Sequence, residues 1–403
     1  MKQEYILHFP AENFDEYRTG GYHPIHLGDY MHDGRYEILH RLGAGPSSTV
    51  WLARDNSLQI NVCMKVLTAD RSQEQSKEVK TLEHLQQCGR RSHPGADYTS
   101  TLLNYFYHDG PNGRHLCLVL NLGGPQLSDV LDKQPLSRFR GDTARRITRQ
   151  LLLAVDYLHC SGIVHGDIYT YNIVIQMPEL ERLSKEQIMQ VLGKPHIGDV
   201  KRVDGQPIPA CKPRYQVMLA DLVKCIRGNI KSIQLIDFGE AFFIGSPPPR
   251  CAIPVSFCPP EGLLRFPLTK AVDLWSLGCV IMSLTVGTLP IIGFDITEVY
   301  PQYKVIGNLS PEWVSRALDI FVSENAKPFE LGSPFPLLEE VIHSRYFCES
   351  SDGLLDFTEA QMKTFASFVR KLMDLEPSKR GEACEMLRDP WLVGSAEVIS
   401  LRL

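Results

Sequence analysis

The chain has 403 residues, 43% of them hydrophobic and 22% charged, with a formal net charge of −5. That length allows two or three folding units with full cores, which excludes a disordered chain and a small disulfide scaffold. A dedicated nucleic-acid binder normally carries a basic domain, so direct contact with nucleic acid is not expected.

Eleven cysteines are an odd number, and no Cys-x-x-Cys pair occurs. Disulfides belong to oxidising compartments, which are usually reached through a signal peptide. Residues 1–15 show neither an apolar run with a small-residue cleavage site nor an arginine-rich amphipathic pattern. Reduced thiols and a cytoplasmic chain are expected, with entry to the nucleus left open. The most apolar stretch, 274–294, directly follows Asp273 and is broken by Pro290. A membrane span needs about 20 mainly apolar residues, so a buried core helix is expected instead.

In chain order, the first thirty residues are polar and rich in turn formers, which predicts an extended arm over 1–35. Short β-type runs follow: YEILHRLG from Tyr36, STVWLARD from Ser48 and INVCMKVL from Ile60. Gly43, Gly45, Pro46 and Asp55-Asn56 supply turns between them. The spacing of Val79, Leu82 and Leu85 predicts a helix over 73–87. Two more strands are predicted at 102–107 and 115–122, after which Gly123, Gly124 and Pro125 break the pattern like a hinge. The chain then turns helical, with 143–160 apolar on one face and basic on another. Strand-like runs recur at 172–175 and 232–236. Between them, 177–231 reads as a surface insertion with a little structure of its own. After Pro254 a helical character runs to Val393. The expected architecture is α+β: a small β-rich lobe over 36–122, a larger α-rich lobe over 123–395 and a tail over 396–403.

Four places could carry chemistry. Gly43, Ala44, Gly45, Ser48 and Val50 belong to a glycine-bearing turn between two strands. Such a turn brings backbone N–H groups close to phosphate oxygens, or is simply a hairpin. Neither a Rossmann strand–turn–helix nor a Walker Gly-Lys-Ser/Thr ending is present. Lys65 ends an apolar strand fifteen residues after Val50, and Glu78 lies thirteen residues beyond it. A helix carboxylate could hold that ammonium on phosphates, with Glu74 and Glu83 as rival partners, although both types are common on solvated surfaces. His165-Gly166-Asp167-Ile168-Tyr169-Thr170-Tyr171-Asn172 offers an aspartate able to take a hydroxyl proton and an asparagine able to bind a metal. Its bland reading is a polar turn headed by a satisfied core histidine. Asp237-Phe238-Gly239 follows the apolar run Ser-Ile-Gln-Leu-Ile and offers a second metal ligand.

All four in this order resemble the eukaryotic protein kinases over roughly 36–392. Pro259-Pro260-Glu261, Asp273-Leu274-Trp275-Ser276-Leu277-Gly278 and Arg380 extend the resemblance. It implies a bilobal kinase fold, a buried structural Glu261–Arg380 ion pair and a structural rather than chemical role for His165. It further implies ATP and Mg²⁺ as cofactors, with Asp167, Lys65 and Asn172 catalytic and Asn172 and Asp237 holding metal. Val50, Cys63 and the backbone at Asn121 and Leu122 would enclose adenine, while the 43–50 loop covers the phosphates. The arm Tyr17-Arg18-Thr19-Gly20-Gly21-Tyr22-His23 with Ile25-His26-Leu27-Gly28-Asp29 is similar to that of SR-protein kinases, in an abbreviated form common in fungi. So is the long interval of 65 residues between Asn172 and Asp237. The resemblance implies a protein substrate, arginine/serine-rich in kind, for a monomer that touches no membrane.

The departures bear on chemistry. Tyr169 stands where Ser/Thr kinases place a lysine on the transferring phosphate, and Tyr171 does not restore the charge. Losing one such donor costs roughly 2.7–4 kcal/mol, or about 10²–10³ in rate. Arg250 is a candidate substitute. Gly166 replaces the arginine that usually meets a phosphorylated activation segment, so no phosphate switch is expected. Cys258 stands where SR-protein kinases carry an arginine before Pro259, and Cys251 with Cys258 flanks the peptide-binding segment. Residues 291–345 hold eight acidic against four basic residues, read as either a basic-substrate groove or a solvated face. Two other readings stand beside the protein kinase: a nucleotide-binding pseudokinase, favoured by Tyr169, and a small-molecule phosphotransferase.

Overall fold

The computed structural model describes residues 4–9, 12–72, 76–88, 93–323, 335–348 and 355–397. They form two compact units: one gathers residues up to 83 with 100–125 and 175–229, the other 84–99, 126–174 and 230 onward.

The first unit is built on six antiparallel strands in the order β2-β3-β4-β5-β7-β6. These are β2 (Tyr30–Met31), β3 (Tyr36–Gly45), β4 (Ser48–Asp55), β5 (Ile60–Leu67), β6 (Leu102–Gly110) and β7 (Gly113–Asn121). Side chains alternate across a strand, so Val62, Met64 and Val66 of β5 share one face. They join Ile38, Trp51, Ala53, Phe106, Cys117 and Val119 in a buried core. Cys63 and Lys65 are thereby turned to the opposite face. The helix α1 (Lys77–Gln87) follows β5. Of the helix predicted over 73–87, residues 73–75, including Glu74, lie outside the described residues.

The arm is packed rather than extended. Tyr5, Phe14, Tyr17 and Tyr22 form a buried cluster with Val200, and β1 (Tyr5–Ile6) pairs with β11 (Lys201–Arg202). Each aromatic ring can bury 150–250 Å², and four of them outweigh the polar average of the segment.

Residues 175–229 are tied to this same strand unit. The Asn61 amide donates to the carbonyls of Leu180 and Leu183 at 2.8 and 2.9 Å. Arg54 donates to Leu183 at 2.8 Å, and Arg41 to the Val217 carbonyl at 3.2 Å. The segment carries α4 (Pro178–Glu181), α5 (Lys185–Leu192) and the pair β10 (Ile197–Asp199) with β12 (Tyr215–Val217). Ser184 and Gln187 close a capping box at the start of α5. The sequence reading groups 177–231 with the larger lobe, whereas 175–229 belong to the strand unit, with polar contacts from Leu180, Leu183 and Val217 to β3, β4 and β5.

The second unit is helical. Its centre is α7 (Ala271–Val286), buried throughout apart from Ser283, and α3 (Gly141–Cys160), which buries Ile147, Leu151, Val155 and Leu158, packs against it. No helix among the described residues is long and apolar enough to cross a membrane. Two short strand pairs carry the loops of interest: β8 (Ile163–Val164) antiparallel to β14 (Phe242–Phe243), and β9 (Ile173–Ile175) beside β13 (Ile233–Leu235). The Gln150 side chain on α3 sets the start of β13, accepting the Ile233 N–H at 3.0 Å and donating to the Lys231 carbonyl at 2.9 Å.

Candidate active site

In the strand unit, Glu78 is the carboxylate that takes Lys65. The ammonium donates to both oxygens at 2.9 Å, and both residues are buried. Val50 lies opposite Lys65 across β4 and β5, and Cys63 pairs with Leu52 and Leu120. Burial pushes the Cys63 thiol up to about 12, so it stays neutral. Asn121 donates its N–H to the Thr101 carbonyl at 3.1 Å, and its side chain accepts the Thr101 N–H at 2.8 Å. Leu122, next in the chain, is buried.

The glycine-bearing turn is a tight hairpin. Gly43 pairs with Val50, Ala44 with Thr49 and Gly45 with Ser48, which leaves Pro46 and Ser47 as the turn. A residue that sequence reasoning left among the arm landmarks holds it: the Tyr22 hydroxyl donates to the Gly45 carbonyl at 2.8 Å. Nothing local to the turn signals that contact, because 23 residues separate the partners.

In the helical unit, Asn172 and Asp167 are locked together. The Asn172 amide nitrogen donates to the Asp167 carboxylate at 2.8 Å and to its backbone carbonyl at 2.9 Å. Spending the amide nitrogen this way leaves the amide oxygen as the atom able to ligate a cation. The Asn172 carbonyl accepts the Ile236 N–H at 2.9 Å, which fixes the chain just before Asp237. Asp237 adopts φ +64°, a region that a non-glycine residue occupies at a cost. Its carboxylate accepts the Gly239 N–H at 3.1 Å, helping to hold that turn. Hard oxygen donors of this kind suit Mg²⁺. His165 is fully buried beside Phe238, accepts the Asp167 N–H on Nδ1 and donates from Nε2 to the Ile236 carbonyl. Both ring nitrogens serve the loop, in line with a structural role.

Asp273, at the start of α7, organises the same loop. Its carboxylate is completely buried and accepts the N–H groups of His165 and Gly166, each at 2.9 Å. Gly166 itself has φ +74°, and a Cβ there would meet the Glu240 carbonyl at 2.9 Å. An arginine in this backbone geometry would be strained, a physical counterpart to its absence from the sequence.

Tyr169 is half-buried against Tyr171 and Phe257, with ring centroids 5.7 and 5.9 Å away. Burial, then the charges of Asp167 and Asp237, push its phenol up to about 12. The lysine position therefore holds a neutral ring beside two carboxylates. Arg250 is exposed and borders a small cavity with Gly166 and Glu240. Glu261 and Arg380 form the buried ion pair expected of them, at 2.6 and 2.8 Å.

A model of the protein kinase domain matches residues 36–188 and 222–392. The chain belongs to the protein kinase domain family. This kinase domain is 37% identical over 167 residues to protein kinase dsk1 of Schizosaccharomyces pombe, covering 41% of this chain and 30% of that protein. It is 34% identical over 183 residues to SRSF protein kinase 3 of Homo sapiens, covering 43% and 31%. A serine/threonine protein kinase of Aspergillus fumigatus aligns at 26% identity over 402 residues, covering 95% and 90%. The aligned kinase regions span less than a third of the first two relatives and most of the third. The likeness to SR-protein kinases and the α+β kinase fold read from the sequence are both borne out.

The acidic excess at 291–345 has local uses in this kinase domain. Asp295 caps the helix at Ile296–Val299, and Glu298 accepts the Phe294 N–H at 2.8 Å. Glu339 pairs with Arg370, and Glu340 accepts the Leu337 N–H at 2.9 Å. Glu324 and Glu330 lie outside the described residues.

Proposed function

We propose that the chain is an ATP- and Mg²⁺-dependent serine/threonine protein kinase that moves the γ-phosphate to serine in arginine/serine-rich proteins. The observation that carries this reading is the buried Lys65–Glu78 pair. A buried ion pair rarely stabilises a fold better than packed apolar side chains would, so an ammonium held this way on β5 fits a task at a phosphate. In this reading Lys65 meets the α- and β-phosphates, and the hairpin of Gly43, Ala44, Gly45, Ser48 and Val50 covers them. Val50, Cys63 and the backbone of Asn121 and Leu122 surround adenine. Asp167 aligns the serine hydroxyl and takes its proton as the bond from serine oxygen to γ-phosphorus forms and ADP leaves. Asn172 and Asp237 would hold Mg²⁺, which neutralises phosphate charge. The substrate class rests on the likeness to SR-protein kinases and not on the acidic residues at 291–345, several of which serve caps and ion pairs.

One observation favours a second reading, a nucleotide-binding scaffold with weak transfer. Tyr169 supplies no positive charge where the transferring phosphate would need one. The test is Mg²⁺-dependent transfer of labelled γ-phosphate to an Arg-Ser-repeat peptide, with Asp167→Asn as control. Transfer that disappears in the control supports the kinase. ATP binding without transfer to that peptide or to a panel of basic proteins moves the protein to the scaffold reading.

A further inference from the structure

Two sulfurs stand together ahead of Pro259-Pro260-Glu261. The Cys258 thiol donates to the Pro259 carbonyl at 3.5 Å, and the Cys251 sulfur lies close enough for the two thiols to shift one another's ionisation. Gly262, in the short helix Pro260–Leu263, leaves room for both: a Cβ there would lie 2.9 Å from each sulfur. Cys258 is buried, whereas Cys251 is half-buried and borders a cavity of about 10 Å³ with Arg250 and Leu268. That is about the least room that admits one water. The two residues are therefore placed differently, one reachable and one covered.

We propose that Cys251 and Cys258 are a redox modification site, forming a reversible intrachain disulfide when hydrogen peroxide reaches Cys251. Its interaction with Cys258 holds the Cys251 thiol below its usual range against the effect of burial, while the same interaction and then burial push Cys258 well up. Cys251 is thus the attacking thiolate and Cys258 the resolving thiol. The Cys251 sulfur attacks one peroxide oxygen, breaking the O–O bond to give a sulfenic acid and, after protonation, one water. Cys258 then attacks that sulfur; its thiol proton leaves with the hydroxide as a second water, and the S–S bond forms. Two thiols have lost two electrons, and the peroxide has gained them. A dithiol reductant reverses the change, as expected of a reduced compartment where disulfides are transient. Closure would cross-link the chain over 251–258, whose Cys258 carbonyl accepts the Tyr303 hydroxyl and whose Ser256 hydroxyl donates to Gly293. Any effect on phosphate transfer rests on the kinase reading; the disulfide itself does not.

Exposure alone sends an oxidant elsewhere, because Cys88, Cys160 and Cys384 are the exposed thiols. Burial and Asp156 push the Cys160 thiol up, away from reactivity. The two hypotheses therefore predict opposite orders of oxidation. The experiment treats the full chain with graded hydrogen peroxide, alkylates with iodoacetamide and digests with trypsin. Arg250 and Arg265 bracket one tryptic peptide, CAIPVSFCPPEGLLR, that contains both cysteines. The expected product is this peptide two hydrogens lighter and closed to alkylation, formed roughly tenfold faster than loss of the exposed thiols. Dithiothreitol should restore both alkylation sites. In Cys258→Ser, dimedone should trap Cys251 as a sulfenic acid, a readout that survives even when the disulfide cannot form. The proposal is overturned when both cysteines of the peptide remain alkylatable after the exposed thiols are consumed. It is equally overturned when Cys251 is found paired with any other cysteine.

Discussion

Asp273 and His165 are joined by a hydrogen bond of 2.9 Å from the His165 N–H to Oδ2, while Oδ1 takes the next N–H, that of Gly166. One carboxylate with no solvent exposure thus holds two successive backbone donors, and the His159 ring adds a third contact at 2.9 Å. Asp273→Ala strands these donors in the core. Each unsatisfied buried group costs about 1–3 kcal/mol, so a loss of about 3 kcal/mol or more is expected in urea unfolding. Asp273→Asn keeps one acceptor and should lose less. Equal stability of wild type and Asp273→Ala would mean that the loop finds other acceptors.

Glu261 and Arg380 call for a paired experiment. The guanidinium also donates to the carbonyls of Ala271 and Asp374 at 2.9 and 2.8 Å. Removing one charge leaves the other buried, and the expected cost is about 3–5 kcal/mol. Replacing both with apolar side chains of similar volume, as in Glu261→Met with Arg380→Leu, should recover part of it. A double variant no better than the worse single variant would show that the carbonyl contacts, not the ion pair, dominate.

Tyr169 is the clearest point at which chemistry can be altered. Its phenol, pushed up to about 12, stays protonated through the neutral and mildly alkaline range, so the pH–rate profile should show no limb from Tyr169 below about pH 11. Tyr169→Lys introduces the missing charge and should raise kcat by up to roughly 10²–10³. An unchanged kcat would place the limit at another step.

The imidazoles of the strand unit predict acid sensitivity. His23 packs on His108 and His115, with ring centroids 4.7 and 5.0 Å away. Burial and those two neighbours lower it to about 3, while Asp29 acts in the opposite sense. His108 and His115 are also lowered, mainly by burial. The unfolded chain takes protons near pH 6.5, and the folded His23 resists until about pH 3. The preference for the folded state is therefore full above about pH 6.5 and is lost as pH falls toward 3. The loss is on the order of a few kcal/mol. Denaturant midpoints between pH 7 and 4 should fall, and His23→Phe should flatten that fall. A midpoint independent of pH would contradict the assignment.

Much of the fold was legible because it is local. The strands at Tyr36–Gly45, Ser48–Asp55 and Ile60–Leu67 follow β-type composition and turn residues that lie next to one another in the chain. Lys65 and Glu78 were legible together, but the choice over Glu83 needed the position of α1. The packed arm was missed because its aromatic residues are scattered among turn formers, and their common cluster includes Val200, far along the chain.

Residue order alone determined the kinase family, the chemical inventory and the odd residues within it: Tyr169, Gly166 and the two cysteines before Pro259. Motif spacing and side-chain type are properties of the chain, so they survive without coordinates. Tertiary structure decided which groups meet. It brought Tyr22 to Gly45 across 23 residues and Asp273 to His165 across 108. It joined 175–229 to the strand unit and set the Cys251 and Cys258 sulfurs beside Gly262. These contacts depend on long-range packing and on buried donors finding acceptors, and no local pattern encodes which distant group will serve.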